Sequence, residues 1–135
     1  MEQNSPRQKQ VIYSDFLADF GVNPHTKDLI KVTNEQAVIN SIKNILRTNN
    51  FERPYNAFFG ANIYRYLFEP FIPTTEIELK NEIRFAIENF EPRARIIDLV
   101  VNGRPDDNAI DITLTISIIN TVSPITITTT LVRVR

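Results

Sequence analysis

The sequence predicts an α+β fold in which N-terminal helices pack on a C-terminal antiparallel β-sheet or hairpin. Three observations predict it. Apolar residues recur at three- and four-residue spacing up to about Phe90, the period of a helix with one buried face. From Ile110 they alternate with polar residues, the period of a half-buried strand. Pro92 stands between the two stretches. A proline disfavours the α conformation in the residue before it, so a helix arriving from the N-terminal side should stop at about Phe90.

Composition sets outer limits. A chain of 135 residues with 42% hydrophobic content suits one domain over 1–135 with a modest core. Within it, 1–10 reads as a flexible arm, 11–91 as mainly helical and 94–135 as β-sheet. With 15 basic and 16 acidic residues, no charge excess points to nucleic acid. Cysteine is absent, which leaves no disulfide or thiolate zinc site and fits a reducing compartment. The N-terminus is polar, and no apolar run approaches the ~20 residues a membrane helix needs. The expectation is a soluble protein folded in the cytoplasm of its host, without cofactor, metal, nucleic acid or membrane.

Residues 11–25 read as extended chain and loop, packed over the core by Tyr13, Phe16 and Leu17. The single histidine, His25, sits beside Pro24 in a turn and reads as a surface residue. Thr33-Asn34-Glu35-Gln36 has the form of a capping box. Val38, Ile39, Ile42, Ile45 and Leu46 then make one stripe, ended by Asn49-Asn50. Phe51, Pro54, Tyr55 and Phe58 form an aromatic loop before a second helix over about 60–68, closed by Pro70 and Pro73. Most of the nine Phe and four Tyr should be core; a surplus on the surface would mark a partner site. Thr75-Glu76-Ile77-Glu78 opens a third helix with a second capping box, with Leu79, Ile83, Ala86, Ile87 and Phe90 as its stripe. Glu76 and Lys80 are a favourable i,i+4 pair.

Arg95–Val101 reads as a strand closed by the turn dipeptide Asn102-Gly103. Asp106 and Asp107 read as solvated. Ile110–Ile119 is the clearest strand, and Ile125–Val134 should pair with it as a hairpin across the turn Asn120–Pro124. That last strand leaves an edge able to accept another chain, with Ile125, Ile127, Thr128, Leu131 and Val132 as its candidate contacts, unless an N-terminal segment fills it. Arg133 and Arg135 would blunt the edge.

No catalytic constellation stands out. One His and no Cys exclude the usual nucleophile–base pairs, except a serine with His25 that no motif supports. Three glycines, at 21, 60 and 103, make no phosphate loop. Glu69 and Glu91 could serve as the carboxylate pair of a glycosidase, although any chain with 16 acids can supply one. Glu91 and Arg93 flank a ring of fixed φ at the helix-to-strand junction. They read as solvated charges, as partners of each other or of local backbone, or, with Pro92, as a partner-binding site.

The junction Phe90-Glu91-Pro92-Arg93 resembles the signature of the baseplate wedge proteins that initiate the sheath of contractile phage tails, and of the E component of type VI secretion baseplates. Val32-Thr33-Asn34-Glu35-Gln36-Ala37-Val38, Ser41–Leu46, Glu52-Arg53-Pro54, Phe59-Gly60 and Leu67-Phe68-Glu69-Pro70 match in order and spacing from about residue 28 to 97. Phe51 and Ala57 depart from the pattern, standing where Gly and Pro are expected. The resemblance implies a structural subunit, not an enzyme, present in six copies in the virion tail baseplate. Glu91, Pro92 and Arg93 would dock on other wedge proteins, and the C-terminal sheet would offer its edge to the tail sheath protein. Removing Arg93 is expected to weaken docking and leave the fold intact. Three alternatives remain: a peptidoglycan-degrading, lysozyme-like enzyme, since some relatives carry that label; a type VI secretion baseplate component in place of a phage one; and a stand-alone regulator sharing the fold.

Overall fold

The structure, a computed structural model, describes residues 14–16, 20–119 and 121–133. It begins with a short antiparallel pair, β1 (Ser14–Phe16) against β2 (Lys31–Thr33), with Val22 bridging Leu29 between them. The sequence suggested only extended chain and loop here. Phe16 is about half exposed rather than laid over the core. Tyr13, Leu17 and the expected arm 1–10 lie outside the described residues.

Helix α1 (Glu35–Arg47) follows at once. Pairing in β2 keeps Thr33 extended, and Asn34 turns the corner with φ 52° and ψ −118°, a positive-φ conformation outside the left-handed helical region. The expected capping box does not form. No side chain caps the helix; Val38 N–H donates to the Asn34 carbonyl, and the Gln36 amide bonds Asn40 Oδ1 at 2.9 Å. The stripe Val38, Ile42, Ile45 and Leu46 is buried as its spacing requires.

Beyond the loop, Ile63–Phe68 is a 3-10 helix, not the α-helix expected over about 60–68. Gly60 has φ 111° and Asn62 φ 47°, both incompatible with an α-helix starting there. A Cβ on Gly60 would stand 2.2 Å from the Thr48 carbonyl oxygen, so the chain passes too close to the end of α1 for any other residue. Helix α2 (Pro73–Phe90) has proline at its start, where a missing N–H costs nothing. Pro73 therefore opens this helix rather than closing the previous one. The second capping box is also absent, because Thr75 Oγ1 donates to the Pro70 carbonyl. The Glu76–Lys80 pair forms at 2.6 Å, and α2 ends at Phe90 as Pro92 dictates.

Strand β3 (Ala94–Arg104) runs through Asn102-Gly103 instead of turning there. The reason is packing: a Cβ on Gly103 would lie 2.3 Å from the Phe71 ring, so this glycine admits an aromatic ring and not a reversal. A 3-10 turn, Pro105–Asp107, and left-handed Asn108 make the reversal. Arg104 holds it through Asp107 and Asp111, so Asp107 is ion-paired rather than simply solvated. Strands β4 (Ala109–Ile118) and β5 (Ile125–Val132) form the expected hairpin, with Ala109 opposite Val132 and Ile116 opposite Ile125. Sheet order is β3-β4-β5, all antiparallel, with a bulge between Ile96 and Asp98.

The stripes of α1 and α2 (Ile42, Leu46, Leu79, Ile83) and the inner sheet residues (Leu114, Ile116, Ile127, Leu131) belong to one buried cluster. The α+β expectation holds. The simple order of helices first and strands afterwards does not, because β1 and β2 precede α1.

Candidate functional site: the Glu91 junction and the β5 edge

Where α2 ends, Glu91 leaves helical geometry at φ −133° while its N–H still donates to the Ile87 carbonyl. Ala94 N–H closes the turn onto the Glu91 carbonyl, and Ile119 N–H donates to the Arg93 carbonyl, tying in the end of β4. The Glu91 side chain points inward and is 1% exposed. Arg93 grips it with two donors: Nε to Oε1, and Nη2 to Oε2 at 2.6 Å. The Ser41 side chain of α1 lies close enough to favour the ionised form of the same carboxylate. Burial pushes the Glu91 carboxyl upward, but the bonds from Arg93, the nearby Ser41 side chain and the guanidinium charge outweigh it and hold the group below the usual carboxylate range. Of the local readings open from the sequence, solvated charges, backbone contacts or mutual pairing, the fold pairs Glu91 with Arg93. Glu91 works on Arg93 from inside; Pro92 is exposed, and Arg93 is 34% exposed.

This geometry corrects the expected mutant behaviour. Removing Arg93 strands a buried carboxylate, which costs about 3 kcal/mol, the low end for broken buried pairs because the guanidinium is partly wetted. Arg93→Ala therefore disturbs the fold as well as any docking.

Strand β5 lies at the edge of the sheet, and no described strand pairs with its outer side. The described N-terminal strand pairs with β2 and does not fill that edge. Ile127, Thr129 and Leu131 face the core; Thr126, Thr128, Thr130 and Val132 face solvent, and Ile125 is half-buried. At Ile127 and Leu131, then, only the main chain is available to a partner, whereas Thr128 and Val132 also present side chains. Thr130 Oγ1 donates to Asp111 at 2.6 Å, which fixes the outer face in register with β4. Arg133 lies over the Phe68 ring, 4.6 Å from its centroid, and its N–H extends the hairpin by bonding the Asn108 carbonyl. Arg135 and Val134 are outside the described residues.

Several features bear on chemistry. Glu91 is sealed and ion-paired, the opposite of the accessible, raised carboxyl a glycosidase acid needs. His25 is exposed, its N–H bonded to Asn23 Oδ1. Among the described residues no three His, Cys, Asp or Glu gather as metal ligands, and no helix is long and apolar enough to cross a membrane. The sequence reading missed the exposed aromatics: Phe20, Phe51, Tyr55, Phe58, Phe68 and Phe85 stand in solvent. Residue type alone placed them inside, and only the loop around Phe51 hinted otherwise.

Solved structures share this fold. A component of the anti-feeding prophage baseplate, seen by six-fold symmetrised electron cryo-microscopy, superimposes with TM-score 0.72 at 19% identity over 82% of this chain and 88% of that one. A Geobacter sulfurreducens protein described as a candidate tail lysozyme gives 0.67 at 22% identity over 75% and 92%. The fold is thus one found in baseplate and tail proteins. Baseplate wedge protein gp25 of Enterobacteria phage T4 is 30% identical over 111 residues, 81% of this chain and 82% of its own. A sequence profile for "Baseplate wedge protein gp25" matches residues 32–123. The chain belongs to the baseplate wedge protein gp25 family, a component of contractile-tail baseplates.

Proposed function

We propose that this chain is a structural wedge subunit that docks on the wedge core through Pro92 and Arg93 and templates the first sheath ring with the β5 edge. It is assembled in the host cytoplasm, six copies to a baseplate. The open edge carries the reading: β5 is fully formed, its core side is filled, and its outer amides and carbonyls have no described strand to meet them. An added strand gains main-chain bonds there, and the alternating side chains fix its register. Glu91 contributes from within by holding the guanidinium in place for a carboxylate or carbonyls of the wedge core.

The test is complementation in cells that make the remaining tail proteins. Wild-type chain yields sheathed tails; a chain with a blocked β5 edge yields baseplates without sheath. A sheath that forms equally well in both defeats the templating reading. Peptidoglycan cleavage forms no part of the proposal, since Glu91 cannot reach solvent as a free acid. Clearing of purified peptidoglycan by the wild-type chain that disappears in Glu69→Gln would establish the enzymatic reading instead.

A further inference from the structure

Seven non-glycine residues have positive φ, and three of them are aromatic: Phe20 at 53°, Phe51 at 70° and Tyr55 at 68°. The others are Lys27 and three asparagines, the residue type that occupies this region most readily. A bulky side chain in the left-handed region costs free energy and persists only where the surroundings impose it. Around Phe51 the surroundings do impose it. Phe51 N–H donates to the Ala57 carbonyl at 2.6 Å. The Glu52 carboxylate takes both the backbone and side-chain amides of Asn49, at 2.9 and 2.8 Å. The Arg53 guanidinium lies 3.8 Å above the Phe59 ring, and Phe51 touches Phe58.

The strain is not repaid by burial. Phe20 is 67% exposed, Phe51 75%, and Tyr55 completely. The fold holds three rings outward at a cost to itself. Phe20 and Arg53, which sits between Phe51 and Tyr55 in the chain, also line a groove with a small cationic excess, Arg47 and Arg53 against Asp15. That groove, of about 450 Å³, runs from Phe16 and Phe20 past Asn40 and Asn44 to Arg47 and Arg53. Among the described residues neither arginine has an ion-pair partner; Glu52 is bound to Asn49, and Asp15, on the groove wall, accepts from Phe16 N–H. Rings beside two guanidinia fit an occupant that is acidic and apolar together.

We propose that this surface docks an acidic, apolar-bearing segment of a neighbouring wedge subunit, a contact separate from Arg93 and from the β5 edge. This rests on the wedge reading of the chain. The strain makes the test sharp, because glycine is at ease where Phe51 and Tyr55 are not. The Phe51→Gly/Tyr55→Gly variant should melt at or above the wild-type temperature yet enter baseplates at least tenfold less well. The readout is quantitative mass spectrometry of baseplates purified after co-expression with the other wedge proteins. Arg47→Glu should reduce entry as well, without lowering the melting temperature. Failure of the wild-type chain to enter would count against the wedge reading itself. Wild-type entry matched by the double variant would overturn this inference alone. So would a sharp fall in the variant's melting temperature, which would make the rings structural, or co-sedimentation of wild type but not variant with purified peptidoglycan, which would assign the surface to glycan.

Discussion

Glu91 and Arg93 are two residues apart in sequence and do different work. One is buried and ionised, the other about one-third exposed, and each depends on the other. The depressed Glu91 carboxyl sets the sign of the pH dependence: its stabilisation is complete above the ordinary carboxylate range and is lost as pH falls through the lowered folded-state value. In Arg93→Ala the carboxylate is buried without its guanidinium, and burial then raises its pKa. That variant should be destabilised by about 3 kcal/mol at neutral pH and should regain stability on acidification, whereas wild type should not. Thermal melts of both between pH 7 and 5 read this directly; parallel curves would show that the pair is energetically idle. Replacing both residues, as in Glu91→Gln/Arg93→Ala, removes the stranded charge and isolates docking from folding. The proline, the helix stop and the charged pair were legible in the sequence. The burial of Glu91 was not, because it depends on Ser41, fifty positions upstream on α1, and on the end of β4.

Element types were more legible than their ends. The stripes of α1 and α2 and the alternation of β4 were readable because burial on one face imposes a period. Both capping boxes failed for a tertiary reason: Thr33 belongs to β2, and Thr75 bonds Pro70. Gly103 misled in the same way, since Asn-Gly is a turn only when nothing needs the glycine's missing Cβ, and Phe71 needs it. Gly103→Ala should therefore destabilise by about 1–3 kcal/mol through overpacking, and Gly103→Ala with Phe71→Leu should recover part of the loss. Chemical denaturation of the two variants decides it; no loss in Gly103→Ala would return the glycine to a turn role. For β5, deleting the strand is a poor test, because it removes buried Ile127 and Leu131 and uncovers the core. Prolines at Thr128 and Thr129 are cleaner. Amides of successive residues face opposite edges, so one proline breaks the hairpin and the other blocks only the outer edge. Circular dichroism and melting should separate the two; equal damage from both would mean the outer edge is already engaged.

At the level of the whole molecule, the core joins α1, α2 and the inner face of the sheet, leaving the Arg93 turn, the aromatic loop and the β5 edge at the surface. Family membership was legible from the ordered motifs around Glu-Pro-Arg, while the aromatic surface was not, because hydrophobic residue type cannot say which side of a loop faces water. The wedge reading also predicts that purified chain, wild type or Glu69→Gln, leaves peptidoglycan intact in a zymogram. The most direct measurement is electron microscopy of tails assembled with the edge-blocking proline variant of β5, chosen as the one of the pair that retains its fold. Complete baseplates that carry this chain and no sheath are the expected result. Full-length sheath on those baseplates would contradict it.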